Sequence, residues 1–243
     1  MSKSKKKKHG DAGGKKKKKM RPAQIAAIER IGDQFRLIDI VAKGCRGVKW
    51  QPCTKLKIGI GDSETRTYTP IAIDAHSGRV RILAYIHGCS PASQWAGAAA
   101  VGDNTYTSVP GSSLNLEELG SSAVFFGDET SFGSAKSLQI YLGVNTPVYC
   151  VFEVGQLQQA AAVVERLELA NVTLVQSCAD KSHLGEVARL LQKAMSDLTT
   201  THLVLTGNGR SIQAVRAALH ADNTAKIEYL VKAYWTPEKT LKD

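Results

Sequence analysis

Near Ser121 the hydrophobic period of this chain changes, and the change divides it into two differently built parts. Beyond it, the compact apolar runs AVFFG, PVYCVFEV, NVTLVQS, HLVLTG and KIEYLVKAYW alternate with the helical patterns SFGSAKSLQIYL, QLQQAAAVVERLEL, HLGEVARLLQKAMSDL and RSIQAVRAALH. A short apolar run between polar turns reads as a buried strand, and apolar residues three and four apart read as one face of a helix. Five strands linked by four helices predict a parallel, doubly wound sheet with its binding crevice at the carboxyl ends of the strands.

From Ala23 to Val109 the pattern is instead β-rich. AQIAAIERI, FRLIDIVA, KLKIGI, TRTYTPIAID and GRVRILAYIHG alternate or run apolar between turn residues such as Gly32-Asp33, Gly61-Asp62 and Ser77-Gly78. Short strands at hairpin-like spacing predict a small antiparallel β-barrel. One short helix interrupts it, because Ser90 is a cap candidate directly before Pro91, and SQWAGAAA follows. The polar stretch from Pro110 to Gly120 reads as an interdomain connection. The expected plan is a lysine-rich, disordered tail over 1–21, a barrel domain over 22–112 and an α/β domain over 119–243.

The formal net charge of +10 belongs to the tail. Met1 to Arg21 hold ten Lys and one Arg against Asp11, so the remaining chain carries 21 basic and 21 acidic residues and is neutral. This balance gives no support to a basic groove in the folded part. The tail itself is too self-repulsive and too poor in apolar groups to fold, and it reads first as a solvated arm. Attraction to nucleic acid or to an anionic membrane by counterion release is the second reading, without interleaved aromatics to stack bases.

Five cysteines, Cys45, Cys53, Cys89, Cys150 and Cys178, lack any CxxC spacing and point to no disulfide framework, zinc site or iron–sulfur cluster. The six histidines show no metal-ligand spacing, so no metal site is expected. No GxSxG elbow and no Walker lysine motif is present. Met20-Arg21-Pro22-Ala23-Gln24 supplies no apolar signal core and no run reaches the roughly 18 apolar residues of a membrane span, so the expected location is cytoplasmic.

Two constellations in the barrel carry chemistry. Arg66-Thr67-Tyr68-Thr69 lies on a predicted strand, where alternation puts Arg66 and Tyr68 on one face. A guanidinium suits a phosphate and a phenol ring suits a flat heterocycle, although the same pattern also serves as a cross-strand pair. The second is His87-Gly88-Cys89-Ser90-Pro91-Ala92-Ser93-Gln94-Trp95-Ala96, where a strand turns into a helix whose first amides attract anions. It reads equally as a capped helix with Trp95 in the core. Taken together, they favour a dinucleotide site.

These two motifs, with Gly127-Asp128-Glu129-Thr130 and the Tyr234-Trp235 pair in the same order, make the chain from Ala23 to its C-terminus resemble the siderophore-interacting proteins. These are FAD-binding ferric-siderophore reductases of the ferredoxin-reductase-like superfamily. The resemblance implies an antiparallel FAD-binding β-barrel followed by a doubly wound parallel-sheet nucleotide-binding domain. It assigns Arg66 to the flavin pyrophosphate, Tyr68 and Thr69 to the isoalloxazine ring, and His87, Gly88, Ala92 and Ser93 to the phosphate turn. Trp235 closes over the flavin. Gly127, Asp128, Glu129 and Thr130, with Gly207 and Asn208, receive NADH or NADPH, while Lys232, Tyr234 and Lys239 meet the substrate. The chain departs from the family pattern in a short region between Phe35 and Arg66, in Cys53 after Gln51-Pro52, in Gly207-Asn208 after the fourth sheet strand, and in Thr236-Pro237 after the terminal tryptophan.

The expected activity is that of a monomeric, FAD-dependent NAD(P)H reductase that releases iron as Fe(II) from a ferric siderophore or ferric chelate, with no side chain assigned a catalytic step. The alternatives are a flavin reductase acting on a quinone or a free ferric chelate, and a non-catalytic basic-tailed protein that binds nucleic acid or membrane on a flavoprotein-like scaffold. Lys181, after NVTLVQS, is a candidate contact for a nucleotide 2′-phosphate or a solvated loop lysine.

Overall fold

The computed structural model describes residues 20–61, 64–111, 114–116, 119, 122–143, 145–200, 202–222 and 226–237. Most of the lysine-rich tail and Lys239 lie outside them. Arg21, read as the end of the tail, is instead the first residue of a strand and pairs with Thr107.

The first domain is an antiparallel sheet of seven strands: β1 (Arg21–Ile31), β2 (Phe35–Ala42), β3 (Leu56–Gly59), β4 (Thr65–Tyr68), β5 (Ala72–Asp74), β6 (Arg79–Tyr85) and β7 (Asn104–Thr107). Their order is β4-β3-β7-β1-β2-β6-β5. TRTYTPIAID therefore holds two strands at opposite ends of the sheet, separated at Thr69-Pro70, because proline cannot donate to a continuing ladder. Two edges joined by so short a connection require the sheet to curl on itself, and β4 lies against β6 across the seam. Ile25, Ile38, Ile40, Leu56, Ile58, Val80 and Ile82 fill the inside. Helix α1 (Pro91–Ala98) covers one end, contributing Ala96 and Trp95 to this core.

The second domain is a parallel sheet of β8 (Ala123–Gly127), β9 (Val148–Val154), β10 (Val172–Gln176), β11 (His202–Asn208) and β12 (Glu228–Trp235), in the order β10-β9-β8-β11-β12. Helices α2 (Phe132–Leu142), α3 (Leu157–Arg166), α4 (Leu184–Asp197) and α5 (Gly209–Asp222) link consecutive strands. The winding runs outward from β8 to β10, then returns to β11 and β12. The switch point lies between β8 and β11, and the crevice belongs at their carboxyl ends. Central strand β8 is buried throughout, and Val187, Ala188, Leu191, Ala194 and Met195 of α4 cover one face of the sheet.

The two domains share a core. Strand β2 sends Ile38 and Ile40 into the barrel and Phe35 and Leu37 outward, into the cluster that holds Phe125, Phe132 and Phe152 of the second domain. The Phe35 and Phe132 rings lie 5.9 Å apart. Asp39, also outward, is buried against Arg79 and Arg81 of β6, and hydrogen bonding to Arg81 holds its carboxyl below the usual range. At the rim, Arg166 of α3 forms a bidentate pair with Glu29 of β1, its Nη2 lying 2.7 Å from Oε2.

Candidate functional site

The first half of the candidate site is built on the barrel edge. Ser90 caps α1 by accepting from Ser93 N–H at 3.2 Å, as the sequence predicts, and Ser93 Oγ donates to His87 O at 2.8 Å while accepting from His87 N–H at 3.0 Å. Those bonds lock the His87–Ser93 turn. Pro91 has no N–H, Ser93 N–H is capped and Gln94 N–H bonds Ser90 O, which leaves Ala92 as the first-turn donor that the helix does not use itself. Gly88 stands at φ +58°, and a Cβ there would meet nothing within 4 Å, so the turn presents open space to a ligand.

Tyr68 connects this turn to β4. Its ring packs 6.1 Å from that of Trp95 in α1, so the face of β4 that carries Arg66 and Tyr68 lies beside the helix. Burial pushes the Tyr68 phenol up to about 12, which keeps it neutral. The Arg66 guanidinium remains part-exposed, held by Glu64 Oε1 at 2.6 Å and donating to Thr65 O at 3.0 Å. An open glycine turn, an unspent helix amide, a guanidinium and a neutral aromatic ring form a donor set that fits FAD: charge-assisted bonds for its pyrophosphate and a flat surface for its ring.

The second half of the candidate site forms at the switch point. Thr206 Oγ1 of β11 donates to Ser131 Oγ at 2.8 Å, closing β8 and β11 at their carboxyl ends. Asp128 ends β8 almost fully buried; it accepts from Thr130 N–H at 2.9 Å and from the Trp235 indole N–H at 2.8 Å. Burial raises its pKa to about 6 against these hydrogen bonds. Glu129 turns the other way, accepting from Gly155 N–H at 2.6 Å and lying 3.4 Å from Tyr85 OH of the barrel. Asn208 accepts from Arg210 N–H at 3.0 Å and caps α5. Gly127 to Thr130, Gly207 and Asn208 thus stand together, as the sequence expects.

The two halves meet. Phe35, Tyr85 and His87 form a column, with Phe35–Tyr85 and Tyr85–His87 both stacked at 4.9 Å, and this column runs from the shared core to the phosphate turn beside Glu129. Tyr234 OH lies 2.6 Å from Ser134 Oγ at the start of α2 and also bonds the Thr69 side chain, so the predicted ring-binding threonine touches the last strand. Lys232 shares the Tyr234 side of β12. Cys53, in place of the expected glycine, takes φ +53° and donates from its N–H to Ser137 Oγ, joining the loop after β2 to α2.

A further polar group lies beside the start of α5. Lys181 Nζ stands 3.6 Å from Glu153 and 3.4 Å from Ser211, in the first turn of the helix that Asn208 caps. There His183 Nδ1 accepts from Cys178 N–H, so Nε2 carries the proton given to Glu153 at 2.7 Å. His183 also lines a hollow of about 430 Å³ with Gln176, Cys178, Ser182 and Glu186. No local pattern marks the Glu153–His183 pair, whose members are 30 residues apart. Among the described residues no cluster of His, Cys, Asp and Glu could hold a metal ion, and no helix is long and apolar enough to cross a membrane.

Comparison with known proteins agrees with this geometry. Residues 24–114 match the family model of the siderophore-interacting FAD-binding domain, a stretch that holds Arg66, Tyr68, Thr69 and the His87–Ser93 turn. The siderophore-interacting protein of Acinetobacter baumannii superposes with a TM-score of 0.67 at 17% identity, over 90% of this chain and 91% of its own. The ferredoxin reductase of carbazole 1,9a-dioxygenase gives 0.71 at 13%, over 89% and 70%. Full-length CYP116B46 from Tepidiphilus thermophilus gives 0.69 at 15% over 89% of this chain, which spans only 29% of that protein. No curated protein matches the sequence. The fold is ferredoxin-reductase-like, and its barrel is similar to a siderophore-interacting FAD-binding domain over residues 24–114.

Proposed function

We propose that the chain is an FAD-dependent reductase that oxidises NADH or NADPH and reduces ferric iron held in a siderophore or similar chelate, releasing Fe(II). The observation that carries this reading is the Tyr68–Trp95 contact, which brings the strand that carries Arg66 against the helix that follows the open Gly88 turn, within the stretch that matches the FAD-binding domain. Arg66 and the Ala92 amide hold the pyrophosphate, and Tyr68 and Thr69 meet the ring. The crevice at Gly127 and Gly207 receives the nicotinamide nucleotide, and Lys232, with Lys239, draws in an anionic chelate. FAD, when bound, supplies the conversion of a two-electron hydride into single electrons. One NAD(P)H then reduces two ferric ions and releases one proton. Iron is the substrate, and no side chain need ligate it.

The test is direct. The purified protein should be yellow or take up FAD, its flavin absorbance should bleach anaerobically with NADH or NADPH, and a chromogenic Fe(II) trap should develop colour when a ferric chelate is added. A protein that neither carries nor binds FAD would overturn the reading. One that bleaches but leaves the chelate ferric would keep the flavin and lose the acceptor.

A further inference from the structure

The corner between β8, β11 and β12 contains more specific geometry than a nucleotide crevice requires. The β11–β12 ladder slips by one residue there, Gly207 facing Ala233 but Asn208 facing Trp235. That bulge carries Trp235 past the end of the regular strand and points its indole edge at Asp128. Gly207 itself has φ +92°, and a Cβ on it would stand 2.6 Å from the Asp128 carboxyl carbon. Only glycine lets the chain pass so close to the carboxylate. Trp235 is meanwhile 36% exposed, so its N–H edge is anchored in a buried carboxyl while much of the ring stays open.

We propose that Asp128 is the positioning residue for Trp235: its carboxylate grips the indole N–H and so sets where the exposed aromatic face stands at the mouth of the flavin–nucleotide site. The inference rests on the flavin-reductase reading only for the meaning of that face; the grip itself is a property of the chain. A charge-assisted hydrogen bond is roughly twice as strong as a neutral one, so protonating Asp128 loosens Trp235. The ionisable groups facing Asp128 are Glu129 on its own turn, Tyr85 from β6 and Tyr234 from β12. Glu129 and burial favour the proton, whereas the bonds from Thr130 and Trp235 oppose it. The grip is therefore strongest at neutral pH and weakens on mild acidification.

The experiment uses FAD-free full-length protein. The Trp235 indole ¹H–¹⁵N resonance, assigned by its loss in Trp235→Phe, should shift with a midpoint of about pH 6. Acrylamide quenching of the Trp235 component, taken as the difference from Trp235→Phe, should rise over the same range. In Asp128→Asn both changes should vanish. A wild-type resonance and quenching that stay constant between pH 8 and 5 would overturn the grip, and that outcome needs no variant of Asp128 to fold. A midpoint retained in Asp128→Asn would assign the titration elsewhere and overturn it equally. FAD titration of the same sample separates the two ideas: a grip that titrates in a protein unable to bind FAD keeps this inference and removes the flavin reading, whereas FAD binding with a pH-independent Trp235 does the reverse.

Discussion

The hydroxyl of Tyr234 and that of Ser134 lie 2.6 Å apart, tying the last strand of the second domain to the start of its first helix, beside Thr69 of the barrel. Burial holds the phenol at about 12, so it stays neutral and can donate. Tyr234→Phe removes this strut without a cavity. It should lower unfolding stability by about 1 kcal/mol, the net worth of one hydrogen bond plus part of the cost of an unpaired Ser134 hydroxyl. Between the ordinary tyrosine pKa and the raised one, the folded state keeps a proton that the unfolded chain loses. Wild-type stability should therefore fall as pH rises above about 10, and the variant should show a shallower slope, Tyr68 keeping its own share. Urea unfolding at pH 8 and pH 11 measures both effects; identical curves would show that the strut carries no stability.

Arg66 should matter to ligand and not to fold. It is part-exposed and, among the described residues, is paired with Thr65 of its own strand and the adjoining Glu64. Arg66→Ala should raise the FAD dissociation constant about tenfold or more, as expected for losing one charge-assisted phosphate contact, with unchanged thermal unfolding of the FAD-free protein. Glu64 competes with phosphate for the same guanidinium, so Glu64→Gln should tighten binding, more at low salt than at high. Fluorescence titration of FAD against each variant decides, and unchanged affinity in Arg66→Ala would remove it from the pyrophosphate site.

Much of this arrangement can be read from local pattern. Helix α4 announces itself because Val187, Leu191, Ala194 and Met195 fall on one side, and the Ser90-Pro91 cap because its chemistry is local. Strand β7 does not, since Asn104-Thr105-Tyr106-Thr107 has almost no apolar signal; it is held by pairing with β1 and β3, and Thr105 Oγ1 is satisfied by Gly59 O at 2.8 Å. The Asp128–Trp235 bond joins residues 107 apart and depends on a bulge, and bulges leave no periodic trace in sequence. Motif resemblance brought both residues to notice, but their contact is visible only in three dimensions.

Asp128 should cost the fold stability. Its pKa rises from 3.8 to about 6, so between those values the folded state binds more protons than the unfolded chain and stability falls as pH rises. The full penalty, up to about 3 kcal/mol at 1.36 kcal/mol per unit, is present only above pH 6. Asp128→Asn removes the charge, so its stability relative to wild type should improve from pH 4 to pH 7 and then level off. Thermal melts across that range test the sign; a difference that narrows on going up in pH would show that Asp128 is stabilised as the anion. Asp39 gives the opposite control. Arg81 and Arg79 lower its pKa, so its contribution is present above the unfolded value and lost as pH falls through the folded one.

Lys232 provides the test of where an anionic ferric chelate would approach. Leu230 of β12 packs into the core shared with the barrel, and alternation puts Lys232 and then Tyr234 on that same side. Tyr234 is engaged there with Ser134, and Lys232 is the basic position on this side of the strand, Glu228 at its far end facing His202. An exposed charge acts on a diffusing anion through a field screened over roughly 8–10 Å at physiological salt. Lys232→Gln should therefore raise KM for an anionic ferric chelate, more at low than at high ionic strength, and leave a neutral chelate nearly unaffected. Flavin reduction by NAD(P)H should keep its rate, because the proposed nicotinamide crevice centres on Gly127 of β8 and Gly207 of β11. Steady-state assays with the two chelates at two salt concentrations, beside stopped-flow reduction, make the comparison. Equal effects on both chelates, or a defect confined to flavin reduction, would remove Lys232 from the substrate's path.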